Sequence, residues 1–156
     1  MKYRRLTKEQ FEELHQEFIN FLATQSITVD EWNDIKANKP EVMEQELDVF
    51  SDLIWEGVLN QVQYIEHISP RQMMLFYISE THMHLIAIKI ADAGIDITSD
   101  YGYKWLRQNL NDDTVSLYTS AKAITEDRNK DIFILIEQGG VITKGDLYRY
   151  FEEILG

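Results

Sequence analysis

Residues 62–91 read VQYIEHISPRQMMLFYISETHMHLIAIKIA, and this stretch sets the fold class. It holds three runs of strand length: Val62–Ile68, rich in β-formers but carrying Gln63, Glu66 and His67, and the apolar Met73–Ile78 and Leu85–Ile90, the last broken only by Lys89. Ser69-Pro70-Arg71 reads as a turn between the first two, and Glu80 to His82 as a turn between the second and third. Connections this short make neighbouring strands antiparallel, so the stretch is expected to form a β-meander. The second and third runs are apolar at both odd and even positions. A sheet with one wet face alternates instead, so the expectation is either helices over both faces or a partner over one of them.

Outward from the meander the period changes to that of helices. Thr7 and Gln10 form a capping-box pattern ahead of Phe11, Leu14, Phe18, Phe21 and Leu22, predicting an amphipathic helix over 8–24. Thr28 with Glu31 starts a short helix that carries Trp32 and Ile35. Pro40 suits a first helical position, and Val42 to Leu59 continue a long helix over 41–61. Beyond the meander, Ser99 or Asp100 caps a short helix with Trp105 and Leu106. Val115 to Tyr118 reads as a strand, and Ala121 to Ile124 fits either class. A helix over 126–138 ends at Gly139-Gly140, and Thr143 with Asp146 reads as the cap of a last helix carrying Leu147 and Phe151. The expected architecture is α+β: a small antiparallel β-meander packed with about six helices, in a single domain spanning 1–156 without linker or repeat.

Composition bounds the function. The net charge is −12, from 15 Lys and Arg against 27 Asp and Glu. Duplex DNA is bound by neutralising its phosphates with cations, so direct nucleic-acid binding is not expected. There is no cysteine, which removes disulfides, thiolate metal sites and thiol nucleophiles. No secretory apolar stretch follows the basic start, and no run approaches a membrane span, so a cytoplasmic protein without membrane contact is expected.

Three short motifs carry a resemblance. Tyr3-Arg4-Arg5-Leu6-Thr7, Phe50-Ser51-Asp52 and Tyr64-Ile65-Glu66 resemble a family of small bacterial proteins of unknown function, found mainly in Bacteroidetes. The resemblance runs along most of the chain and implies a bacterial cytoplasmic protein with no assigned activity.

One cluster has the side chains of a metal site. Glu80, His82 and His84 alternate, so an extended strand would place all three on one face. A catalytic zinc site needs three protein ligands, and His67 on the first strand is a further donor. The same residues read more readily as a turn and a strand end, because Glu80 falls in the turn and His82 and His84 share a face with Ile86, Ile88 and Ile90, where they would cap an apolar core. Adjacent acids such as Glu12-Glu13, Asp112-Asp113 and Glu152-Glu153 lie on polar helix or loop faces. Gly139-Gly140 lacks phosphate-loop spacing. No cofactor is implied, and no catalytic constellation is legible. The leading expectation is a protein-interaction or regulatory module, contacting a protein partner or forming a homo-oligomer through the β-meander. A metal- or ligand-binding enzyme centred on His82 and His84 is the second expectation. An acidic nucleic-acid mimic is the third.

Overall fold

A computed structural model describes all residues, 1–156. The chain forms two compact units, Met1–Asn60 and Gln61–Gly156. No linker marks the boundary, which falls at the end of a helix.

The first unit is helical: α1 (Lys8–Glu13), α2 (His15–Thr24), α3 (Val29–Asn38) and α4 (Pro40–Gln61). The capping box forms as the sequence predicts, with Thr7 Oγ1 accepting from Gln10 N and Gln10 Oε1 accepting from Thr7 N. The helix expected over 8–24 is two helices, because the backbone opens at Leu14 (ψ 24°). No glycine or proline sits there. The break lets Phe11 and Phe18 both meet Phe50, at 6.0 and 5.0 Å between ring centroids. Phe21, Trp32 and Ile35 complete this aromatic core.

Two of the motifs that carried the resemblance meet in this unit. The backbone N–H groups of Lys2 and Tyr3 donate to the Asp52 carboxylate at 2.7 and 2.9 Å. The Leu6 N–H donates to Ser51 Oγ at 3.1 Å, and Ser51 Oγ donates to the Leu47 carbonyl at 2.7 Å. Arg5 pairs with Glu44 and Asp48, and the Arg4 guanidinium lies 5.1 Å from the centre of the Trp55 ring. An extended arm has no helical partners for its amides, and buried amides need acceptors. One turn of α4 supplies them. Burial, reinforced by the Glu56 carboxylate that accepts its hydroxyl, pushes the Tyr3 phenol up to about 12.

The second unit holds β1 (Tyr64–Ser69), β2 (Gln72–Ile78), β3 (His82–Ile90), α5 (Asp100–Gln108), β4 (Val115–Ala123), α6 (Arg128–Glu137), β5 (Val141–Thr143) and α7 (Asp146–Leu155). The α+β class holds, with seven helices instead of six and five strands in one antiparallel sheet of order β4-β3-β2-β1-β5. The meander continues into β4, with α5 inserted before it.

The register sorts the side chains. Glu66, Leu75, Ile86 and Thr119 lie in one row across four strands, and Ile68, Met73, Ile88 and Leu117 in another. This face carries α5 and α7 through Leu106, Tyr148 and Phe151, forming the main core with Ile90, Ile95 and Ile97. The opposite face presents Ile65, Ile78, Met83 and Ala87, all buried. Arg128 fastens α6 there by donating to the carbonyls of Val62, Ile78 and Ser79. The helix ends at Gly139 (φ 107°), against the His67 ring.

One expected cap is absent. Thr143 does not cap α7. It pairs with Tyr64 as the end of β5, and its hydroxyl accepts from Gly145 N at 3.1 Å. Gly145 itself takes the N-cap position at φ 85°, with no side-chain cap. A Cβ there would sit 2.4 Å from the Tyr64 ring, so only glycine allows the chain to turn onto that ring.

Candidate functional site

The turn Ser79-Glu80-Thr81 is held by Ser79, whose Oγ accepts from Thr81 N and His82 N at 3.3 and 3.0 Å. β3 begins at His82, earlier than the sequence suggests, so His82 and His84 are strand residues sharing the face that bears α7. Their ring centroids are 6.2 Å apart. His82 Nδ1 lies 2.9 Å from Thr81 Oγ1, and the His84 ring stacks on Tyr77 at 5.6 Å. Glu80 stays exposed in the turn. His67 pairs with Met74, which places it on the other face of the sheet. No group of three or more His, Asp or Glu side chains comes together where a metal ion could be held. The structure thus brings His82 and His84 together but gives them neither Glu80 nor His67 as a third ligand.

His84 belongs to a different feature. A concavity of about 560 Å³ opens beside the strand β4, lined by His84, Thr119, Ala121, Tyr148, Glu152 and Leu155 among others. Tyr148, in its wall, belongs to an aromatic cluster: it lies 5.8 Å from Tyr64 and 5.9 Å from Tyr77, and Tyr64 lies 5.2 Å from Tyr77. Burial pushes the Tyr148 phenol up, and the Glu152 charge adds to it. Glu66, on the same face, is also pushed up by burial, against the lowering effect of its hydrogen bond with Thr143. None of these groups forms a nucleophile–base pair of the kind acyl or phosphoryl transfer uses.

The outer rim of the concavity is β4, the end strand of the sheet. Hydrogen bonds from Ala91 N to Thr114 O and from Ile124 N to Thr81 O fix its phase at both ends. Antiparallel ladders alternate, so Leu117, Thr119 and Ala121 turn their N–H and C=O groups outward, away from β3. Seven of the nine residues of β4 are exposed, and Lys122 is its only charge. The sequence showed half of this strand and gave no sign that it would be an edge, because edge position depends on distant pairing. Neither β5 nor the anchoring role of Arg128 was visible there.

No helix is long and apolar enough to cross a membrane. No curated protein matches the chain, and neither does any solved structure. A family model, described as a family of unknown function (DUF6495), matches residues 1–156. The chain therefore belongs to that family, along its whole length.

Proposed function

We propose that the protein is a non-enzymatic interaction module that works through the β4 edge of its meander, and that the strand it takes is β4 of a second copy. The observation that carries this is a nine-residue end strand, mostly exposed, with one charge and no proline. Unpaired edges are templates for another strand, and proteins that keep them unused blunt them with charge, proline or bulges. Segments added there gain main-chain hydrogen bonds along their length.

The edge is self-complementary. Two β4 strands antiparallel about Thr119 set Leu117 opposite Ala121 and Val115 opposite Ala123 on one face. Tyr118 faces Ser120 and Ser116 faces Lys122 on the other, so no like charges meet. The arrangement is isologous and closes with two chains. The charge of −12 on each chain opposes approach, but beyond about 8 Å at physiological ionic strength it is screened. A paired module of this charge would attract basic partners. Its proposed setting is the bacterial cytoplasm, as the resemblance implies.

Light scattering at micromolar concentration tests the proposal with wild type and Thr119→Pro. The Thr119 N–H points outward, so proline there removes no bond to β3. The expected result is a dimer for the wild type and an 18.4 kDa monomer for the variant, with unchanged circular dichroism. A wild type that stays monomeric to hundreds of micromolar overturns it, and so does a dimer indifferent to the substitution.

A further inference from the structure

The helical unit carries a second concavity, independent of the sheet. It has a volume of about 540 Å³ and opens between the N-terminal arm and helices α1 to α4. Phe11, Phe18, Trp32, Met43 and Leu47 form its walls. The walls are fixed by ring packing: Phe18 meets Trp32 edge-on at 5.2 Å and Phe11 at 5.9 Å. Its size falls within the roughly 300–1,000 Å³ typical of small-molecule sites.

The rim departs from the charge of the rest of the unit. Residues 1–60 hold six cations (Lys2, Arg4, Arg5, Lys8, Lys36, Lys39) and thirteen acids. Three of those cations, Arg5, Lys8 and Lys36, line the groove together with His15, whereas Glu12 is its only acid. Arg5 is engaged by Glu44 and Asp48. Lys8 and Lys36 are exposed and belong to no ion pair, so their charges are available at the mouth. An apolar channel with two available ammonium groups at its rim, on an otherwise acidic surface, is complementary to an amphipathic anion.

We infer that this groove binds an aliphatic carboxylate, a fatty acid whose chain lies along Phe11, Phe18 and Trp32 and whose carboxylate meets Lys8 and Lys36. The chain of such a ligand removes apolar surface from water on both sides. The lysines select anion over alcohol or cation. On the acidic surface of this unit the rim is a local exception.

Isothermal titration calorimetry of the full chain with decanoate, decanol and decyltrimethylammonium, each below its micelle concentration, tests the assignment. Decanoate is expected to bind one per chain and more tightly than the other two. Lys8→Glu combined with Lys36→Glu should weaken decanoate by about tenfold or more, as two exposed charge contacts are each worth about two- to fivefold before reversal, and should leave decanol unchanged. Both lysines are exposed, so this variant keeps the fold. Met43→Trp, which fills the groove, should abolish binding of all three. Absence of decanoate binding, equal binding of the three probes, or indifference to the lysine reversal would each overturn the assignment. So would an acidic amphipathic peptide that binds these lysines while decanoate does not.

Discussion

At one edge of the sheet β5 pairs with β1 over only Val141–Thr143, and the chain then turns on Gly145 into α7. At the other edge β4 pairs with β3 along nine residues, and no further strand pairs with its outer side. Val141 is 61% exposed and Tyr118 43%, so neither edge is buried by its own side chains. The two edges differ in strand length, three residues against nine, whereas each has one lysine at hand, Lys144 or Lys122. A three-residue strand next to Lys144 offers another chain little to pair with, and short, charged ends are a recognised means of blunting an edge. β4 has only Lys122 for the same purpose. A sheet can therefore end in a short strand at one side and a long one at the other with little change in composition.

The largest effect should come from the β5 edge. Gly145→Ala places a Cβ 2.4 Å from the Tyr64 ring and forces alanine to a φ of 85°. Tyr64 is held by Tyr77 and Tyr148 and cannot yield cheaply. The expected loss is about 3 kcal/mol, from left-handed strain and overpacking together. Urea denaturation measures it, and a loss below about 0.5 kcal/mol would show that the turn is not fixed by that ring.

The β4 edge should respond in association and not in stability. Ser120→Lys puts a second cation beside Lys122, where natural edges use charge against pairing. It should raise the dimer dissociation constant by about fivefold, the upper end of a single cross-strand contact, with the monomer's stability unchanged. Sedimentation equilibrium reads this directly, and an unaltered constant would place the interface elsewhere.

Glu66 gives the β5 edge a pH signature. Its carboxyl is raised from 4.5 by burial, so folding favours the protonated form. A raised folded value contributes stability below about pH 4.5 that is lost as pH rises through the folded value. Glu66→Gln should therefore be more stable than wild type at pH 7, with the advantage fading at pH 4. Paired urea titrations at the two values check it, and a constant difference would remove burial as the cause.

The smallest effect is expected at Val141. Val141→Lys changes an exposed residue of a strand too short to recruit a partner. Stability should move by no more than about 0.5 kcal/mol and the dimer constant not at all. A monomeric product would transfer the proposed interface from β4 to β5.

Local structure was legible in the chain before any folding was known. Strand-length runs over residues 62–91 set the meander, period 3.6 with Thr7, Thr28 and Ser99 set helix starts, and the acid excess set the surface charge. These arise from interactions a few residues apart, which a chain carries wherever it goes. Contacts between distant segments settled the remainder. Thr143 looks like a helix cap until Tyr64 pairs with it. His67 looks like a neighbour of His84 until the register with Met74 sends it to the opposite face. The polar residues of β4 carry no strong strand period, because an edge strand exposed on this scale has little to bury. Lys8 and Lys36 lie 28 positions apart, and only the folding of the helical unit brings both to one apolar groove. Pairing and packing between distant segments depend on closing loops of chain, and no local pattern records which loops close.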